Sequence, residues 1–150
     1  MAATSAFTSA GSKLYTSSTL PSTYDSAGYG ALTWTEVKEI TDLGEYGATY
    51  ALVTHNPVGN RVTVKRKGSI NYGTLELKMA SVVSDAGQTK LVQGSNVDSS
   101  YAFKVVLQDG TINYFTAQIM SYKKSVGTVD QITSASVSLE IDSTVVEVLS

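Results

Sequence analysis

Residues Tyr101 to Ile119 read YAFKVVLQDGTINYFTAQI. Two alternating, β-rich runs flank Asp109-Gly110, a dipeptide that accepts the positive φ angles of a type I′ turn, so the stretch predicts a β-hairpin. A two-residue loop would set Leu107 opposite Ile112, Val105 opposite Tyr114 and Phe103 opposite Thr116, and make that side the core face. The other side, with Lys104, Val106, Asn113, Phe115 and Ala117, is mixed. Such a face suits either the margin of a core or a surface covered by a neighbour.

The pattern continues outward from the hairpin. In QITSASVSLEI, Ala135, Val137, Leu139 and Ile141 share one face, and Ser134, Ser136, Ser138 and Glu140 share the other. GTLELKM repeats the alternation, with Leu75, Leu77 and Met79 inward and Thr74, Glu76 and Lys78 outward. One segment breaks the series. In SDAGQTKLVQGS, Asp85 is placed to cap a short helix over about residues 85–93, Gln88 takes the N3 position of a capping-box variant, and Gly94 takes C′. The stretch LPSTYDSAGYGALTW, with Pro21, Gly28 and Gly30, predicts a long loop leading into a strand around Trp34. Residues 1–12 are rich in Ala, Ser and Thr and are expected to form an arm. Residues 13–141 are expected to form a single β core, and 142–150 a carboxy-terminal tail.

Composition narrows the function. The 150 residues are one domain's worth, with 13 acidic against 11 basic side chains and a net charge of −2. That balance does not support a general affinity for nucleic acid or anionic lipid. The absence of cysteine removes disulfides, thiolate metal sites and cysteine nucleophiles together. The amino terminus has neither the basic nor the apolar region of a signal peptide, and no apolar run approaches the roughly 20 residues of a membrane span, so a soluble cytoplasmic product is expected. His55, the one histidine, lies in the turn signal THNPVG without a second nitrogen ligand, and is expected to be an exposed structural residue. Neither a calcium-loop pattern nor a glycine-rich phosphate loop is present, and no cofactor or metal is expected. Nine tyrosines and one tryptophan suit a sugar-binding face and a protein interface equally.

Charge is segregated along the chain. From Asp25 to Glu45 there are five acids (Asp25, Glu36, Glu39, Asp42, Glu45) against Lys38, a balance of −4. Within GNRVTVKRKG, Arg61, Lys65, Arg66 and Lys67 give +4 with no acid. Two complementary patches of this kind can join copies of a chain head to tail, or can neutralise each other within one molecule.

Three collinear segments carry a resemblance that spans nearly the whole chain: AGSKLYTSSTLPSTYDSAGYGALTWTEVKEITDLGEYG (10–47), THNPVGNRVTVKRKGSINYGTLEL (54–77) and VGTVDQITSASVSLEIDSTVVEV (126–148). Together they resemble the major tail tube proteins of long-tailed, non-contractile bacteriophages. The resemblance implies a mainly β fold, a β-sandwich or barrel-like core with one short flanking helix, a long loop and extended terminal arms. It implies a structural, non-enzymatic virion protein, assembled in the host cytoplasm into hexameric rings that stack into a tail tube for genome ejection. The implied partners are further copies of itself and the tail tip or baseplate, tape measure and tail terminator proteins, with DNA only as transiting cargo and no membrane insertion. On that basis Arg61, Lys65, Arg66 and Lys67 are candidate contacts to an adjacent subunit or ring, with Glu36, Glu39, Asp42 and Glu45 as their partners. Ser134, Ser136, Ser138 and Glu140 are candidates for the lumen wall. A carbohydrate-binding, adhesin-like β-sandwich and the tube protein of a related secretion system are the alternatives.

Overall fold

The computed structural model describes residues 5–149. Residues 1–4 of the expected amino-terminal arm lie outside the described residues, as does residue 150; residues 5–11 are exposed, Ser12 is partly covered, and none of residues 5–12 belongs to a strand or helix. In chain order the strands are β1 (Lys13–Ser17), β2 (Thr35–Val37), β3 (Ile40–Asp42), β4 (Thr49–His55), β5 (Val64–Asn71), β6 (Thr74–Ala80), β7 (Tyr101–Val106), β8 (Ile112–Ser125), β9 (Ser134–Ile141) and β10 (Val146–Val148). The helices are α1 (Ser26–Gly30) and α2 (Ala86–Ser95).

Eight strands form one antiparallel sheet in the order β2-β1-β7-β8-β9-β6-β3, with β10 added to β8. The two ends of this order, β2 and β3, are separated in the chain only by Lys38 and Glu39. The sheet therefore folds back on itself into a barrel-like sandwich joined at that corner. Strand β8 serves both layers. Its first half, Ile112 to Ala117, pairs with β7, and its second half, Ala117 to Ser125, pairs with β9. A register shift around Met120 marks the bulge between Ile119 and Ser121, and a bulge is the usual device by which a strand bends from one layer to the next.

The expected faces of β6 and β9 are the observed ones. Leu75, Leu77, Met79, Ala135, Val137, Leu139 and Ile141 all enter the main core, where they meet Leu14, Val37, Leu91, Phe103, Val105 and Phe115. The β7–β8 hairpin corrects the expected register. Gly110 N donates to Leu107 O at 3.0 Å and Leu107 N donates to Thr111 O at 2.8 Å, which makes a three-residue loop with Gly110 at φ 91°. Phe103 consequently pairs with Phe115 and Val105 with Asn113. A slip of one residue turns a strand over, so Phe115 and Ala117 enter the core while Ile112 and Tyr114 face the other way. The covering neighbour on that second face is the chain itself: Tyr29 of α1 stacks on Tyr114 with ring centroids 5.0 Å apart, and Trp34, Val146 and Val148 complete a smaller cluster.

Three further expectations are revised. The stretch from Leu20 to Trp34 contains the single-turn α1, capped by Asp25, whose Oδ1 accepts from Gly28 N at 2.8 Å; that hydrogen bond lowers the Asp25 pKa. The following strand starts at Thr35, one residue after Trp34. Helix α2 runs two residues past its expected end, so Gly94 lies inside its last turn and the C-cap is Asn96. Gly94 is there for close approach, since a Cβ would stand 2.4 Å from Ile119 Cδ1 and 3.1 Å from the Tyr101 ring. The expected tail from Asp142 includes β10, which pairs with the first residues of β8. Asp142 itself is held by Ser100 and Thr116.

Gln88 is buried on the inner face of α2. Its Nε2 donates to Lys38 O at 3.0 Å and to Ala80 O at 2.9 Å, and its Oε1 accepts from Val82 N at 2.9 Å. This is not a capping box, in which the N3 side chain returns to the N-cap backbone. The amide instead ties the β2–β3 corner and the end of β6 to the helix. Asp85 adds to the same junction, its Oδ2 accepting from both Gln88 N at 3.1 Å and Lys38 N at 3.2 Å. Glu39 completes the corner at φ 63°, a left-handed conformation that costs a non-glycine residue about 1 kcal/mol.

Replacing Gln88 with Leu keeps the volume and strands three backbone groups in the interior. We expect Gln88→Leu to lose about 3 kcal/mol of unfolding free energy, at roughly 1 kcal/mol or more per unsatisfied group. Urea denaturation monitored by circular dichroism measures it, and a loss below about 1 kcal/mol would mean the amide does not hold the corner.

Candidate assembly surfaces

The chain passes from β3 into β4 and from β5 into β6, and β3 pairs with β6 as β4 pairs with β5. Strands β4 and β5 are thus the distal half of one long ribbon, and they form their own two-stranded sheet outside the main one. Every residue of β4 is exposed, and in β5 only Val64 and Gly68 are partly covered. Among the exposed side chains are Tyr50, Leu52, Val53, Val58, Val62 and Ile70. A two-stranded ribbon without a core is marginal on its own, and exposed apolar area on this scale marks an interaction surface.

All four basic candidates lie on this arm. Arg61 is in the tip loop, while Lys65, Arg66 and Lys67 pair with Thr54, Val53 and Leu52. Side chains alternate along a strand, so Arg66 occupies one face and Lys65 and Lys67 the other. Lys67 Nζ sits 4.6 Å from the centroid of the Tyr50 ring, and Arg66 Nη1 donates to Lys65 O at 3.0 Å. No acid occurs between Glu45 and Glu76, so the arm as a whole carries +4.

The four acidic candidates do not form one patch. Glu36, on β2, lies 3.8 Å from Lys13 Nζ. Glu39 is exposed on the β2–β3 corner. Asp42, on β3, is opposite Lys78, and its Oδ1 accepts from Gly44 N at 2.8 Å. Glu45 lies at the base of the arm, where it lines a cleft with Tyr46 to Thr49, Gly73 and Thr74. Among the described residues no ion pair joins one of these acids to a base of the arm; Glu36 is paired with Lys13 instead.

The hydroxylic face is continuous over three strands. Thr74, Glu140 and Gln118 form one row across β6, β9 and β8; Glu76, Ser138 and Ser121 form the next; Lys78, Ser136 and Lys123 the third; and Ala80, Ser134 and Ser125 the last. Thr74 Oγ1 donates to Glu140 Oε1 at 2.8 Å, and Ser138 Oγ donates to Glu76 Oε1 at 3.1 Å. Glu76, Lys78 and Lys123 are the charged members missing from the sequence-based candidates. The outward position of Glu76 and Lys78 was legible in GTLELKM, but not that β6 lies beside β9. Among the described residues no group of three or more His, Asp or Glu side chains is placed to hold a metal ion, and no helix is long and apolar enough to cross a membrane.

A family model described as lambda phage tail tube protein matches residues 13–144. Among solved structures, the fold superposes on a chain of the anti-feeding prophage (AFP) baseplate with a TM-score of 0.74 at 10% identity, covering 98% of both chains. A chain of the PVC sheath/tube terminator in the extended state, from an extracellular contractile injection system, gives 0.66 at 9% identity, with 97% of this chain and 99% of that one covered. The SPP1 tail tube gives 0.61 at 16% identity, with 93% and 77% covered. At these identities the likeness is one of fold. No curated protein matches the sequence.

The exposed ribbon should be the first part of the free subunit to be cut. Limited trypsin digestion is expected to cleave after Arg61 and after Lys65 to Lys67 while the remaining fragments stay associated and folded. Cleavage that began in β6 or β9 instead would contradict a free arm on a stable core.

Proposed function

Because the chain belongs to the lambda phage tail tube protein family and so has a structural role in a phage tail, we propose that it forms hexameric rings that stack into the tube through which the genome is ejected. The observation that carries this proposal is the exposed, wholly basic β4–β5 arm. It contributes no residue to either core cluster, and a ring that stacks needs a projecting contact of this kind.

The single β unit over 13–141 supplies the other parts. The face formed by β6, β9 and the second half of β8, with Ser134, Ser136, Ser138 and Glu140, is the proposed lumen wall. Its charges cancel, with Glu76 and Glu140 set against Lys78 and Lys123. A conduit benefits from this balance, because every uncompensated Lys or Arg on a phosphate adds affinity through counterion release and so adds friction. The acids on the wall repel the cargo, and the hydroxyls offer it only weak, exchangeable contacts. Arg61, Lys65, Arg66 and Lys67 contact the next ring, and the exposed Glu39 and Glu45 are better placed to receive them than Glu36 or Asp42. The tube is assembled in the host cytoplasm and meets tail tip or baseplate, tape measure and terminator proteins at its ends and interior. The fold likeness to the AFP and PVC chains supports a second reading, the tube of a contractile injection system; the phage family match over 13–144 favours the first.

Negative-stain electron microscopy of the purified protein at low and high concentration is expected to show rings or tubes with an open channel. The triple variant Lys65→Glu, Arg66→Glu, Lys67→Glu is expected to stay as folded subunits, with stability within about 0.5 kcal/mol of the parent because its side chains are exposed. A variant that polymerises as the parent does would show that charge does not direct the contact.

A further inference from the structure

We infer that a cleft beside Asp142 is a binding site for the ring of a neutral pyranose sugar, an inference independent of the stacked-ring reading. The cleft has a volume of about 430 Å³ and lies where the loop before α1 meets the connection from β9 to β10. The loop contributes Leu20 and Tyr24, and the connection contributes Asp142, Ser143 and Thr144. A pyranose presents an apolar C–H face and a rim of hydroxyls, and the cleft offers a partner for each.

Tyr24 supplies the apolar surface. It is 56% exposed, yet its ring is supported, meeting the Tyr29 ring edge-on with centroids 6.2 Å apart and planes at 77°. Tyr29 is fully buried and stacks in turn on Tyr114. An exposed aromatic ring held by a buried stack is pre-organised to receive the C–H face of a sugar, with little side-chain freedom left to lose on binding.

Asp142 supplies acceptors for the hydroxyl rim. Ser100 Oγ donates to its Oδ2 and the buried Thr116 Oγ1 to its Oδ1, so the carboxylate is fixed in orientation with one acceptor position on each oxygen in use. An ionised carboxylate has about four such positions, and one left on each oxygen suits two adjacent hydroxyls of a single ring. Among the described residues no Lys or Arg pairs with Asp142, so its charge disfavours phosphate and acidic sugars and admits a neutral one. Tyr29 adds an independent sign of an unfilled site. Its hydroxyl is buried without a hydrogen-bond partner, and Ser143, whose Oγ accepts from Thr116 N at 3.0 Å, bears on it without completing one. Tyr24 and Asp142 also act on it, so the phenol lies under the floor of the cleft. Burial pushes its pKa up and keeps it a donor at neutral pH.

Saturation-transfer difference NMR tests the site on the full chain, in free subunits and in assembled particles alike. The probes are the methyl α-glycosides of glucose, galactose, mannose and N-acetylglucosamine, with methyl α-glucuronide as the anionic counterpart. At least one neutral glycoside is expected to give a saturable signal with a dissociation constant on the order of 1 mM. Tyr24→Ala is expected to weaken that affinity about tenfold or more, and Tyr24→Phe by no more than about threefold, because phenylalanine keeps the platform. Asp142→Asn is expected to weaken it about fivefold, since an amide replaces one acceptor with a donor. Thermal unfolding of each variant separates loss of the site from loss of the fold. No signal from any neutral glycoside at about 50 mM, a signal that survives Tyr24→Ala, or a preference for the glucuronide would each overturn the sugar site. None of these outcomes bears on stacking, which electron microscopy reads separately.

Discussion

The fold depends on closing a sheet whose ends meet at a two-residue corner. Lys38 and Glu39 carry the chain from β2 to β3, from one layer to the other, and such a corner exposes backbone groups that neither layer can satisfy. The Gln88 amide supplies the missing partners from a helix that would not persist unaided at ten residues. Helix and corner therefore stabilise each other. Gly87 and Gly94 allow the close approach, since a Cβ on Gly87 would stand 2.2 Å from Glu36 O. The left-handed Glu39 is the local cost of turning between layers in so few residues.

With the core closed in this way, the rest of the chain is free to serve contacts outside it. The main cluster draws on β1, β2, β6, β7, β8, β9 and α2, and takes nothing from β4 or β5. The residues that stabilise the main core are therefore not those of the ribbon. The side chains of the ribbon can change their surroundings without removing a contact from the main core.

The parts of this arrangement that were legible in the sequence are those with local causes. Alternation in 74–79 and 134–141 placed the inner and outer faces of β6 and β9, and Asp85 announced the start of α2. The parts that were not legible depend on choices local chemistry leaves open. The stretch LQDGT suits either a two-residue or a three-residue loop, and the difference of one residue decides whether Tyr114 or Phe115 enters the core. Gly94 satisfies the sequence rule for a helix end, yet its reason is the ring of Tyr101, seven residues on, and the side chain of Ile119, 25 residues away. The acidic segment looked like one patch because Glu36, Glu39, Asp42 and Glu45 are close in sequence. The corner and the β3 strand between them spread their carboxylates over the length of the sheet.

The basic residues of the arm also answer a problem that the arm itself creates. Two strands with exposed edges and exposed Tyr50, Leu52, Val53 and Ile70 form a template on which any extended chain could add. Lysine and arginine side chains along the strand, and a bulge such as the one that sets Gly68 and Ser69 opposite Ala51, are the features by which natural edges resist such pairing. Lys65, Arg66 and Lys67 thus place like charge along the exposed ribbon, where it disfavours edge-to-edge pairing between copies. Edge protection of this kind needs basic side chains only along the ribbon, so a basic segment is compatible with an overall charge of −2.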